Sequence, residues 1–176
     1  PTEMHPRYGL SFREMQQDQQ HMAYALLASV LSARGLQKTA QIMSLEQILH
    51  DANPEGRFAR DPKWYFISIF GKPSVDGTWG WRFEGHHISL NYTFVDGKLA
   101  STTPEFFGAN PGTINAGPGR EIRVLGPEED LARSILTACT PDQEKIAWRS
   151  KEAPDDLRGG GVAQPETTAP VGWPVS

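Results

Sequence analysis

The chain has 176 residues, a formal net charge of −4 from 17 Lys and Arg against 21 Asp and Glu, and a single cysteine, Cys139. Its length suits one domain with a real core rather than two independent ones. The charge balance gives nucleic acid and anionic membranes no electrostatic reason to bind, and one cysteine excludes an internal disulfide or a multi-cysteine zinc knuckle.

Ser11 followed by Glu14 is a capping-box spacing that predicts a helix running through Met15, Met22, Ala23, Leu26, Leu27, Val30 and Leu31 to a stop at Gly35. A second helix is expected from about Lys38 to Asp51, with Ile42, Leu45, Ile48 and Leu49 as its apolar stripe and Asn53-Pro54 as its end. The two would form an antiparallel helical hairpin. The run Trp64 to Phe70, bounded by Asp61-Pro62 and Gly71-Lys72-Pro73, reads as a strand with much of both faces covered. After Asp76-Gly77, the stretch Trp79 to Phe94 reads as one long strand whose apolar positions change parity at Gly85: Trp79, Trp81 and Phe83 before it, Ile88, Leu90, Tyr92 and Phe94 after it. Side chains alternate with period two, so such a switch requires an extra residue, a twist or a new partner sheet.

Asp96-Gly97 predicts a tight hairpin with Leu99 to Thr103 returning. The segment from Pro104 through Phe106-Phe107 and Asn110-Pro111 reads as a long loop closing the core, and Glu121 to Leu125 as a fourth strand. Gly126-Pro127 opens a helix with Glu128, Glu129 and Asp130 in its first turn and Leu131, Ile135 and Leu136 as a buried stripe. Cys139 follows as a small buried hydrophobe, and Thr140 with Gln143 caps another short helix. The fold class expected is α+β: an antiparallel meander of three to four strands packed with an N-terminal helical hairpin and C-terminal helices. Residues 1–150 make one domain in this reading, and residues 151–176, with Gly159-Gly160-Gly161 and four prolines, a linker-like or disordered tail.

The residues that carry chemistry gather at the parity switch. His86, His87 and Glu84 are candidate catalytic groups and candidate ligands of a divalent metal (zinc, iron or manganese), because neutral imidazole and carboxylate suit those ions. On a regular strand, however, adjacent histidines face opposite ways. A metal-free version has His87 as general acid or base, tuned by Glu84 or Asn91. The plainer alternative is a core histidine bonded to a carbonyl beside a solvated neighbour. Trp81 and Arg82 could hold a flat or anionic ligand, with Ser89, Asn91, Phe106, Phe107 and Asn110 completing a binding surface. No nucleophile elbow, phosphate-binding glycine loop or His-Glu-x-x-His helix is present in the sequence. No apolar run approaches the roughly 20 residues of a bilayer-crossing helix, so a soluble chain is expected, while nothing assigns its compartment.

The order of motifs resembles a known family. Leu45 to Leu49, Tyr65 to Pro73, Trp79 to Asn91 and Thr103 to Pro111 together are similar to the domain-of-unknown-function family 3500, over about residues 8 to 150. The resemblance implies a longer protein with a later, Asn-His-Ile-His-like segment that this chain lacks. It therefore implies a partial member whose partner is the remaining portion of the same protein or a small molecule. The expectation is an uncharacterised domain contributing to a metal-dependent hydrolase or oxidoreductase through its Gly-His-His strand motif. The alternative is a noncatalytic ligand- or protein-binding module using the aromatic ridge Trp79, Trp81 and Phe83.

Overall fold

The computed structural model describes residues 7–56, 58–148, 150 and 152. The chain divides into two compact units, Pro1–Leu125 and Gly126–Ser176. The first holds β1 (Leu10–Ser11), α1 (Gln17–Ala28), α2 (Ala33–Ala52), β2 (Phe66–Phe70), β3 (Thr78–Gly85), β4 (Ile88–Val95), β5 (Lys98–Ser101), β6 (Glu105–Phe107), β7 (Ile114–Asn115) and β8 (Glu121–Ile122). The second holds α3 (Gly126–Ala138) and α4 (Pro141–Ala147). The class is α+β, with four helices and antiparallel sheet among the described residues.

The parity switch at Gly85 is a chain reversal, not a bulge in one strand. β3 and β4 pair antiparallel from Thr78↔Val95 to Gly85↔Ile88, so His86 and His87 alone form the turn. In a two-residue hairpin, odd positions of one strand face even positions of the next: Trp81 sits opposite Tyr92 and Phe83 opposite Leu90. Both apolar sets therefore lie on one face of the sheet. The two central strands are fully paired through the hairpin, and β2 adds on through Ile67↔Phe83 and Ile69↔Trp81.

The other edge of β4 is shared. β5 takes the Thr93–Val95 end and β6 the Ile88–Leu90 end, with Ser89↔Phe106 and Ile88↔Phe107 in register. The expected lid loop is thus partly a sheet strand at Glu105–Phe107. The Asp96-Gly97 turn forms with both residues at positive φ (48° and 73°), the conformation that favours glycine in the second position. The fourth strand expected at Glu121 to Leu125 shrinks to Glu121–Ile122 and pairs with β7 in a separate small sheet.

One sheet face is buried under α1 and α2. Ala23 and Leu27 of α1, and Ile42, Met43 and Leu45 of α2, pack with Phe12, Tyr65, Ile67, Trp81, Phe83, Ile88, Leu90 and Tyr92. Burying each large apolar side chain contributes roughly 1.5–3 kcal/mol, so this face carries most of the unit's hydrophobic stabilisation. The opposite face, with Ser68, Phe70, Arg82, Ser89 and Asn91, is partly to largely exposed. β2 is therefore not covered on both sides as its composition suggests.

The helices differ from expectation at their ends. Ser11 and Glu14 do pair, the Ser11 hydroxyl and N–H both donating to Glu14 Oε2 at 2.6 and 3.2 Å, but they close a single turn that ends at Met15. The helix starts later, at Gln17, where the Gln19 side chain accepts from the Gln16 N–H. Met22, expected in the buried stripe, is exposed. Gly35 does not stop a helix; it lies in the first turn of α2, where its N–H donates to the Ser32 side chain. The Ser29–Ser32 link makes the break because Ser32 offers a better cap than continued helix does.

In the second unit the Thr140 capping box forms as expected. Leu131 and Ile135, expected to be buried, are 65% and 69% exposed. Cys139 is only partly buried, with Sγ facing the Ile135 carbonyl at 3.4 Å. The tail expected over residues 151–176 lies, except for Glu152, outside the described residues. Among the described residues no helix is long and apolar enough to cross a membrane.

Candidate functional site

The β3–β4 turn brings the two histidines together. Their ring centroids are 3.9 Å apart, because they occupy the corner of a reversal, where the opposed directions of a regular strand do not apply. His87 takes φ 61°, a left-handed conformation uncommon for non-glycine residues. Its carbonyl accepts the Gly108 N–H at 2.8 Å. A methyl group on Gly108 would come within 2.8 Å of His87 Nδ1, so the glycine lets the segment after β6 lie directly against the turn.

Gly85 serves the other side of the turn. A Cβ there would overlap the Tyr65 ring at 2.2 Å, so only glycine lets this buried ring stack under the hairpin tip. Tyr65 stacks on Phe83 with centroids 5.7 Å apart and donates its hydroxyl to the His86 carbonyl at 2.8 Å. Burial, reinforced by the nearby Glu46 carboxylate and opposed by Arg7 and Arg60, pushes the Tyr65 phenol well above its ordinary range. It remains a neutral donor that fixes the turn.

Glu84 does not join the histidines. Gly85 turns toward the core, so its neighbour Glu84 points to the open face, where it pairs with Arg82 at 3.0 Å. The carboxylate beside the imidazole comes from the helix layer instead. Glu46 of α2 is 4% exposed and forms a short hydrogen bond with His86 Nδ1. Arg60 completes the group: its Nη1 lies 3.7 Å from Glu46 Oε2, and 3.1 and 3.3 Å from His86 Nδ1 and Nε2.

Hydrogen-bond inventory orders this cluster. An ionised carboxylate only accepts, so Glu46 requires a proton on His86 Nδ1; a guanidinium only donates, so Arg60 requires a lone pair on the ring. Both are met by the neutral Nδ1–H tautomer with Nε2 accepting. A buried acid then holds an imidazole in one orientation, as in triad histidines and metal-bound ones, with Arg60 Nη1 against its other nitrogen.

The remaining candidates divide by face. Arg82, Ser89, Asn91 and Phe106 share the open face with Glu84. Asn91 Nδ2 donates to the Pro104 carbonyl at 2.8 Å, and the Arg82 guanidinium lies over the Phe70 ring at 5.6 Å. Trp81 is buried in the core against Tyr92, Phe107 is half-buried with Lys38 Nζ over its ring at 5.5 Å, and Asn110 is exposed. A shallow pocket of about 320 Å³ is lined by Phe70, Trp79, Gly80, Trp81, Asn91 and Thr93, among others.

Glu46 and Arg60 are the functional candidates that sequence reasoning missed. Glu46 was legible: Thr39, Ile42, Met43 and Glu46 follow the spacing that places side chains on one helix face, and Thr39, Ile42 and Met43 all face the core. An acid in that stripe signals a buried partner. Arg60 lies in an irregular segment and carries no comparable signal.

The arrangement defines an α+β domain with a carboxylate-held histidine at a hairpin tip. The whole chain, residues 1–176, matches the family described as Protein of unknown function (DUF3500), and the chain belongs to it. No curated protein and no solved structure matches the chain.

Proposed function

We propose that this domain supplies a proton-transferring histidine, His86, to a catalytic site. Glu46 orients the ring and His87 is its immediate neighbour. The observation that carries the reading is the buried Glu46–His86 bond: a carboxylate on Nδ1 fixes the ring so that Nε2, once Arg60 Nη1 moves off it, takes and returns a proton. Tyr65 and the Gly108 N–H hold the backbone of the turn, so the two rings stand on a braced corner rather than a free loop. The chemistry supported is general acid–base catalysis, as in hydrolysis, where the histidine takes a proton from water and returns it to the leaving group.

The metal-dependent version fits the described residues less well. The guanidinium of Arg60 occupies the space beside both His86 nitrogens that a cation would claim, and Glu84 is directed away. Among the described residues no group of three or more His, Cys, Asp or Glu side chains is placed to hold a metal ion. A metal site would need Arg60 displaced and ligands from elsewhere. The noncatalytic version, a binding module, draws support from the pocket beside Trp79 and Gly80, but with Trp81 and Phe83 sunk in the core the aromatic ridge offers mainly Trp79.

Long-range ¹H–¹⁵N spectra of the labelled chain, assigned with His86→Gln and His87→Gln, test the reading. The expected result is a neutral His86 ring protonated on Nδ1 at neutral pH, converting to the other tautomer mixture in Glu46→Gln. A ring that stays doubly protonated through the neutral range makes the cluster a structural ion group and defeats the proposal. Elemental analysis of untagged protein decides the metal version: stoichiometric metal lost in His86→Gln would replace acid–base catalysis with coordination.

A further inference from the structure

The other end of α2 carries a second feature, independent of the histidine turn. Ser32, the N-cap of α2, lies about 20 Å from Glu46 by helical rise, at the edge of a groove of about 320 Å³. Val30, Leu31 and Phe107 line it with hydrocarbon, Arg34 and Lys38 bring positive charge, and Glu105 is its acid. The first amides of a 20-residue helix have no intrahelical acceptor and favour negative charge.

A helix terminus alone would specify little, but Tyr92 adds a separate signal. Its side chain points to the helix-covered face of β4, lines this groove and is 4% exposed. Its hydroxyl is buried and meets no hydrogen-bond partner among the described residues. Leaving such a group unsatisfied costs about 1–3 kcal/mol, so an unpaired phenol beside a cationic groove marks a place where an acceptor belongs. Burial, reinforced by Glu105, pushes the Tyr92 pKa up to about 12, so the phenol is a donor at physiological pH.

We propose that this groove binds a small organic carboxylate with an apolar body, its oxygens taken by Tyr92 Oη, the Arg34 side chain and the Ala33 and Arg34 amides, and its hydrocarbon laid along Val30, Leu31 and Phe107. The volume falls in the range of small-molecule pockets. Glu105 argues for a single negative charge rather than a doubly charged phosphate, because the acid repels a dianion more strongly.

Titrations of the ¹⁵N-labelled full chain with benzoate, benzamide and inorganic phosphate test this. Benzoate should shift the Ala33 and Arg34 amides saturably in the millimolar range. Benzamide, which has the same shape without the charge, should not, and phosphate should bind several-fold more weakly. Tyr92→Phe keeps the packing ring and should weaken benzoate about tenfold, as expected for one lost charge-assisted hydrogen bond. Arg34→Gln, at an exposed position, should also weaken it and serves if Tyr92→Phe fails to fold. Absence of saturable shifts, equal response to benzamide, or unchanged affinity in the foldable variants overturns the proposal; tighter binding of phosphate overturns the carboxylate assignment.

Discussion

Replacing Glu46 with Gln probes whether the buried cluster is an ordered acid–base group. Gln keeps the volume and one acceptor for the His86 Nδ1 proton, but removes the charge. A hydrogen bond to an ionised partner contributes about 1.5–3 kcal/mol and a neutral one about 0.5–1.5, so the exchange costs about 1 kcal/mol at His86. Arg60, with Nη1 3.7 Å from the lost oxygen and a side chain only 16% exposed, adds about 1 kcal/mol more as its counter-charge disappears. The total is about 2 kcal/mol, which at a urea slope of about 2 kcal/mol/M lowers the midpoint by about 1 M. Glu46→Leu, which leaves both partners buried against hydrocarbon, should cost about 3–5 kcal/mol. Urea unfolding followed by circular dichroism and tryptophan fluorescence measures both, and a cycle with Arg60→Met should return a coupling of about 1 kcal/mol or more. A Glu46→Gln chain within about 0.5 kcal/mol of the parent would refute the ionised, tightly packed arrangement described above.

Gly85→Ala should be among the most damaging single-methyl changes in the chain, at about 3 kcal/mol or more by thermal unfolding, because its Cβ overlaps a sealed Tyr65 ring. His87→Gly should be less damaging than His87→Ala by about 0.5–1 kcal/mol in the same assay, since both lose the ring and glycine adopts the positive φ of that position without strain. In alkali, stability should fall as pH rises from about 10 through about 12. The unfolded chain releases its tyrosine protons first, whereas the folded chain holds those of Tyr92 and Tyr65; Tyr92→Phe should flatten that slope in pH-dependent urea melts. At the acid end, the Ser11 hydroxyl and then its amide hold the Glu14 carboxyl below its ordinary value. Glu14 therefore favours the folded state above the usual carboxylate range and loses that contribution as pH falls through its lowered pKa. Carboxyl NMR titration of Ser11→Ala should show Glu14 moving upward.

Periodicity and turn chemistry made the core elements legible before any coordinates. The Asp96-Gly97 hairpin, the Thr140 cap and the apolar side of α2 follow from local rules that the tertiary structure does not override. The parity change at Gly85 was legible as an event but not as to kind, because a bulge and a two-residue turn shift the alternation alike; a turn built from two histidines lacks the usual Asn-Gly signature. Ser11 and Glu14 pair without starting a long helix, since Gln20 Nε2 donates to the Phe12 and Met15 carbonyls and closes the turn on itself. Glu84 is the nearest acid along the chain, but strand alternation sends it away, and Glu46 of α2, 40 positions before His86, supplies the carboxylate. Short-range reading has no access to such cross-layer pairs unless a buried polar position betrays them.

The hairpin tip couples two kinds of constraint that are usually separate. With the turn kept at two residues, one residue added between Gly85 and Ile88 would shift β4 by one position, exposing Ile88, Leu90 and Tyr92 and driving Ser89 and Asn91 inward. The corner can therefore exchange its side chains during divergence, and any descendant that retains both the sheet and the two-residue turn also retains two adjacent positions held at the same corner.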